Sequence, residues 1–464
     1  MSANRLEAIY NALPVVLQNL LVSIKGFQLQ KVRKSGNYSS YRRIISERSH
    51  WSQQQFLDYQ LEQLQAVVGY ARDNTTHFYR LCDELGLNYA FINSLDDIRR
   101  LPVLRRHEIT QNHNDFIAHS VSEKQRYAVH TTGTTGSPLK VTCDSDARQK
   151  NYAFFDQYLD SIGIDSDSRH IIIGGRILMP PDSNKPPFWR YSVFQKSLLM
   201  SSYHLSDQYI AFYVEKIADF KPTYIESYPS SIYRIAQFMN ERDICVPCKA
   251  IITSAETLLR EQRSAIEHAF SCPIFDQYGC AEMSVFSAQC KKGAYHVRPD
   301  YGLLEILDDN DEPLPRGEKG NVVCTSFINR AMPLIRYNLG DISAFGPHCD
   351  CGLNTPTLIG IEGRKDDVIY TADRKAVGRL SPVLKGLPVV AVQYIQNQVG
   401  FLQVLIEPAC EFGEKSLSDI DVSLRSRIGE KMQVEYKIVD TIPRGRGGKL
   451  KSVISTIGKP NLSP

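Results

Sequence analysis

From about residue 125 to about residue 345, short apolar runs alternate with helix-spaced patterns, and this alternation constrains the fold most tightly. Ile171-Ile172-Ile173 runs into Gly174-Gly175, and Ala250-Ile251-Ile252 runs into Thr253-Ser254. Runs of this kind punctuated by small residues predict an α/β layer arrangement. Residues 1–110 read mainly as helix. Within them Phe56, Leu57, Leu61, Leu64, Val67 and Val68 recur at helical spacing between Trp51 and Ala71, with a break near Asp73-Asn74. From about residue 301 the pattern becomes strand-rich, over Leu303–Leu307 and Asn321–Ser326. The closing segment reads as a small α+β module, with strands near 389–395 and 401–406, a helix near 416–430 and a loose end after Ser455. A chain of 464 residues exceeds one ordinary hydrophobic core. The expected division is a large domain over 1–362, with a helical start, and a small mobile domain over 363–464.

Composition narrows the class. The chain is 42% hydrophobic and 23% charged, which is globular, and its formal net charge of +3 gives no argument for nucleic acid. No run of 18 apolar residues predicts a spanning helix. Leu13–Ile24 is apolar but is interrupted by Gln18 and Asn19, lacks a basic start, and is followed by Lys25, Lys31, Arg33 and Lys34. It reads as an amphipathic helix packed on its domain with a solvated basic end; weak contact with an anionic membrane surface is the alternative. The 11 cysteines, an odd number without an export signal, predict reduced thiols and a cytoplasmic location.

The richest local signal is Thr131-Thr132-Gly133-Thr134-Thr135-Gly136-Ser137-Pro138. Glycines let a backbone approach a phosphate closely, and hydroxyl and N–H groups donate to its oxygens. The Walker pattern GxxxxGK[ST] is absent. Taken alone, such a loop reads equally as a tight turn.

This segment resembles the phosphate loop of the adenylate-forming superfamily, [ST]-[ST]-G-[ST]-T-G-x-P, and further motifs follow in that family's order. Thr253-Ser254-Ala255-Glu256 resembles its adenine-side segment. Asp276-Gln277-Tyr278-Gly279-Cys280-Ala281-Glu282 resembles the segment that borders the nucleotide, its glutamate helping to hold Mg²⁺. Arg336-Tyr337-Asn338-Leu339-Gly340-Asp341 is similar to the ribose-binding Gly-Asp motif of the phenylacetate–CoA ligase branch. Gly363-Arg364-Lys365-Asp366-Asp367 resembles the interdomain hinge, with Arg364 on the nucleotide and Asp366 as the pivot. Pro443-Arg444-Gly445-Arg446-Gly447-Gly448-Lys449 resembles the segment that carries the catalytic lysine, Lys449. The N-terminal helices and Pro186–Arg190 are similar to the CapK-type capsular polysaccharide subgroup.

The resemblance implies ATP-dependent activation of a small carboxylic acid to an acyl-adenylate, with pyrophosphate released, then transfer to a thiol or an amine. Coenzyme A is the acceptor in phenylacetate–CoA ligases. Here the segment after the hinge, Tyr370-Thr371-Ala372-Asp373-Arg374-Lys375, lacks the usual glycine, which weighs against CoA. An aryl- or acyl-CoA synthetase and a non-catalytic nucleotide-binding homologue are the alternatives. Candidate pocket residues are Phe188, Trp189, Tyr191, His204, Tyr228 and Pro229, which could bind an acid, stack on a sugar or fill core.

Cys290, His296, Cys349 and Cys351 form a Cys₃His set that predicts a structural Zn²⁺, with His348 as an alternative fourth ligand and free thiols as the alternative reading. Cys245 and Cys248 read as two packed thiols rather than a redox pair.

Overall fold

The computed structural model describes residues 3–87, 91–130, 139–180, 183–361, 369–373, 375–377, 380–384, 387–409, 411–445 and 448–457. The chain gathers into two compact units. One is drawn from Met1–Phe27, Asp167–Ile274 and Glu362–Pro464, the other from Gln28–Ser166 and Phe275–Ile361.

In the first unit, four strands run parallel in the order Ala250–Ser254, Tyr224–Ser227, His170–Gly174 and Ser197–Ser201, followed by antiparallel Trp189–Ser192. The helices Ile210–Phe220 and Pro229–Asn240 carry two of the crossovers. Parallel strands are covered on both faces, so their sequences are apolar throughout. Ile171, Ile173, Ile225 and Ile251 are accordingly buried. Pro229 stands in the first turn of its helix, where its missing N–H costs no helical bond.

The C-terminal part of this unit has its own sheet, in the order Gln433–Ile438, Phe401–Pro408, Val389–Gln396 and Val453–Ser455. The central pair is antiparallel and both outer pairings are parallel. The helix Glu414–Ile428 lays Ile420, Leu424 and Ile428 onto a core with Val392, Leu402, Val404 and Ile406. The last strand begins four residues after Lys449, so the lysine loop is tethered to this sheet.

The second unit holds the antiparallel strands Gly302–Leu307, Gly320–Ser326 and Tyr337–Ser343. Phe286–Gln289 pairs with Ile274–Gly279 on one side and Tyr295–Val297 on the other, and Thr357–Leu358 pairs with Tyr295–Val297. The helix expected over 51–71 spans Gln53–Asn74. It starts at Ser52, whose hydroxyl accepts from the Gln55 N–H while the Gln55 side chain accepts from the Ser52 N–H. Its apolar stripe, Phe56, Leu64, Val67 and Val68, is buried. Among the described residues no helix is long and apolar enough to cross a membrane.

Candidate active site and metal centre

The lysine loop is fixed by charge. Ala255 turns the chain with φ of +73° just after the strand Ala250–Ser254, and this aims the next residue, Glu256. One Glu256 oxygen accepts from the Leu450 N–H at 2.8 Å, and the other accepts from the Ser230 N–H at 3.1 Å. Ser230 lies in the first turn of Pro229–Asn240, where N–H groups lack helical partners and the helix dipole favours a carboxylate. Arg444 donates to the Ser230 hydroxyl at 2.7 Å and lies 3.9 Å from Glu256. The Ser202 hydroxyl donates to the Gly448 carbonyl at 3.3 Å. Gly448 has φ of +67°, and a Cβ there would fall 2.6 Å from the Gly175 Cα, so no other residue fits so close. The Lys449 ammonium ends 5.9 Å from the centre of the Tyr228 ring. Burial pushes the Tyr228 hydroxyl above its ordinary pKa.

A second fastening holds the C-terminal sheet. Arg234 on the helix Pro229–Asn240 pairs with buried Glu407 and with Asp207, and it donates to the Asp440 carbonyl and the Thr441 hydroxyl. Burial raises the Glu407 carboxyl, and the Arg234 charge works against that rise.

Replacing Glu256 by glutamine is expected to slow adenylation roughly tenfold, because an amide N–H₂ would face one of the two backbone donors that the carboxylate satisfies. Hydroxamate formation from trapped acyl-adenylate checks this; an unchanged rate sinks the fastening role.

The second unit gathers another group of the expected residues. Tyr278 donates to Asp341 at 2.7 Å. Burial and the Asp341 charge hold the tyrosine proton firmly in place. Asp276 is buried and accepts from the Tyr295 hydroxyl at 2.6 Å, while its N–H donates to Gln289. Gln277 and Gly279 continue the same strand. Glu282 is only 5% exposed, on the loop that turns through Met283 with φ of +55°.

Cys290, His296, Cys349 and Cys351 converge in the same unit, their ligand atoms all within 4.8 Å of one another. The Sγ atoms of Cys290 and Cys349 are 3.8 Å apart. That is too long for a disulfide of about 2.05 Å. It matches the edge of about 3.8 Å that a tetrahedron of Zn–S bonds of about 2.3 Å requires. His296 Nδ1 bonds the Thr355 hydroxyl at 2.9 Å, and Nε2 faces the Cys351 sulfur at 3.2 Å. Burial lowers the His296 pKa, favouring the neutral ring that can ligate a metal. It pushes the Cys351 thiol up to about 11. The donor set fits a tetrahedral Zn²⁺, with Thr355 orienting the imidazole. His348 is not part of this cluster.

The candidate pocket residues divide. Tyr228 borders the lysine loop, and His204 is tied to it through Ser201 and Ser202. His204 is buried, bonds the Ser201 hydroxyl and the Pro180 carbonyl, and stacks on Phe188 with ring centroids 4.6 Å apart. Trp189 instead lines a groove with Tyr191, Arg169, Lys196 and Phe220. Cys248 packs its sulfur 3.3 Å from that of Cys272, while Cys245 is exposed.

Residues 369–456 match the CapK C-terminal domain family. Over 97% of its length the chain is 24% identical to Protein CapK of Staphylococcus aureus, all of which it covers. It is 25% identical to the phenylacetate–coenzyme A ligase of Thermus thermophilus, over 85% of this chain and 95% of that one. Among solved structures, 2-hydroxyisobutyryl-CoA ligase in the postadenylation state aligns with a TM-score of 0.70 and 19% identity, over 88% of this chain and 91% of that one.

Over nearly its whole length the chain is similar to the adenylate-forming enzymes. Some motifs of that family lie outside the described residues: the phosphate loop Thr131, Thr132, Gly133, Thr134, Thr135 and Gly136, the nucleotide arginine Arg364 and the hinge Asp366. The loop's flanks are described, and His130 pairs across from Lys140. Sequence reasoning misses Arg234, Ser230 and Glu407 as partners of the Lys449 loop and its sheet. No local pattern marks them, because they meet the loop and its sheet from distant parts of the chain.

Proposed function

We propose that this chain joins a small carboxylic acid to the α-phosphate of Mg·ATP. A carboxylate oxygen bonds to Pα, the bond from Pα to the bridging oxygen breaks, and pyrophosphate leaves. Two anions meet in this step, and negative charge builds at Pα. The observation that carries the reading is the loop of Lys449, fixed by Glu256, Arg444 and Gly448, which presents an ammonium on a flexible stem. Glu282 is assigned to Mg²⁺, Asp341 to the ribose hydroxyls with Tyr278 steadying it, and Ser254, Ala255, Asp276, Gln277 and Gly279 to the surroundings of the nucleotide. Arg364 and Asp366 keep their expected roles at the nucleotide and the hinge, dividing a domain over 1–362 from a mobile one over 363–464. Cys290, His296, Cys349 and Cys351 would hold a Zn²⁺ through three thiolates and an imidazole, a donor set that would make it structural.

The acyl group then passes to an amine, on the path to a surface polysaccharide. Support comes from the hairpin that pairs Ile369–Tyr370 with Ala376–Val377. The Thr371 hydroxyl accepts from the Lys375 N–H at 2.9 Å, and the segment Tyr370–Lys375 has no glycine, where the resemblance to the phenylacetate–CoA ligase branch implies one. Pyrophosphate release with Mg·ATP over aryl, fatty, amino and uronic acids, with hydroxylamine as trap, tests the first step. A positive acid is then offered CoA and amines. Thioester as the sole product overturns the amine; ATP binding without pyrophosphate release from any acid favours a non-catalytic homologue.

A further inference from the structure

The N-terminal helix Val15–Lys34 is inside out. Its polar and small residues face the protein: Gln18 is 5% exposed and Ser23 3%, and Gly26 packs where a Cβ would lie 2.7 Å from Gln195. The cause is the neighbouring edge strand Trp189–Ser192, whose outer side offers unpaired backbone groups. Asn19 accepts from the Tyr191 N–H at 3.0 Å, Ser23 accepts from the Val193 N–H at 3.1 Å, and Gln18 accepts from Arg190. Side chains that serve this edge must be polar, and the apolar face of the helix is left outward.

That outward face is a continuous ridge. Val16, Leu17, Leu20, Leu21, Ile24 and Phe27 are each between 43% and 77% exposed. Spaced over three turns, they extend about 16 Å along the helix. Phe27 meets Phe194 with ring centroids 5.0 Å apart, and Val193 and Phe194 are themselves more than half exposed. The helix carries no acidic residue, and Lys25 projects beside the ridge. Next to it opens a groove of about 590 Å³ with Trp189, Leu198 and Phe220 in its walls. Arg169, Lys196 and Lys216 supply its charge, and Asp219 pairs with Lys216.

We propose that this face docks on an anionic lipid bilayer, with the helix lying in the plane of the interface. An apolar ridge bordered by cations is what the boundary between anionic headgroups and acyl chains complements. A second copy would be a poorer occupant. A twofold contact presses like against like, so Lys25 and its cationic neighbours would face their own images. The proposal is independent of the adenylation chemistry.

Co-sedimentation of the full chain with vesicles tests it. Vesicles of phosphatidylcholine with about 30 mol% phosphatidylglycerol are compared with phosphatidylcholine alone. The wild-type chain is expected to pellet with the anionic vesicles at low salt and to be released as salt screens the charges. A variant carrying Leu17→Gln, Leu20→Gln and Ile24→Gln is expected to lose roughly tenfold or more of that binding. Its thermal melt and its retention of ATP binding show that it is folded. Leu20→Trp provides an independent readout, taken as the difference from the wild type, whose own indoles are Trp51 and Trp189. The added emission should shift to the blue and be quenched by brominated acyl chains. No pelleting of the wild type, equal pelleting of the triple variant, or no lipid-dependent change in that added emission would overturn the proposal. So would a wild-type dimer that the triple variant dissolves into monomers, which would assign the ridge to a second copy.

Discussion

Lys449→Ala is expected to lower acyl-adenylate formation by roughly 10²–10³-fold while leaving the fold and Mg·ATP binding nearly unchanged. The size follows from the step. Charge accumulates on the α-phosphoryl group only as the carboxylate arrives, so an ammonium placed there stabilises the transition state more than bound ATP. The fastening of the loop does not depend on the lysine side chain. Glu256 bonds the Leu450 N–H and Ser202 bonds the Gly448 carbonyl, so alanine removes the charge and keeps the loop. Pyrophosphate release and hydroxamate yield, read beside calorimetric ATP binding, separate the cases. A variant that still forms adenylate at near wild-type rate would remove the lysine from the mechanism. Loss of ATP binding in parallel would make it a ground-state binder instead.

Cys349→Ser is expected to reduce bound zinc from about one per chain to a small fraction and to lower Tm by roughly 5–10 °C. Cys290 and His296 stand on one chain segment, Cys349 and Cys351 on a distant one, and a metal held by all four would cross-link the two in the folded state. Serine keeps the shape and discards the thiolate, so the change reports on coordination rather than packing. Elemental analysis of the purified protein and a melting curve with and without a strong chelator check it. Protein that carries no metal, and melts at the same temperature in the variant, would return these residues to ordinary thiols.

Much of the fold is readable from apolar spacing. Ile171–Ile173 and Ala250–Ile252 lie in the strands His170–Gly174 and Ala250–Ser254, and the stripe from Phe56 to Val68 lies on one helix. These signals are local, since burial on both faces or on one stripe leaves its mark within a few residues. The convergence of Cys290, His296, Cys349 and Cys351 is legible too, because ligand chemistry restricts which residues can gather. Three things are not. Glu256 reads as an adenine-side residue, yet its carboxylate bonds Leu450 at the far end of the chain. Cys248 finds Cys272 rather than nearby Cys245. The period of the helix after Pro14 shows which residues share a face, but only the unpaired edge at Tyr191 and Val193 decides which face turns inward.

The contacts that seat the C-terminal sheet on Pro229–Asn240 and its neighbours are mainly ionic and polar: Arg234 with Glu407, Arg444 with Ser230, Glu256 with Leu450. Val390 adds an apolar touch. The proposed cycle requires the lysine to withdraw after each adenylation. On withdrawal a charged pair regains its hydration, so separation returns much of what it removes. A greasy seam of the same extent would lose its whole burial term on opening. The seat is therefore a reversible catch, suited to being released once per turnover, and its ionic character predicts that opening quickens as salt rises.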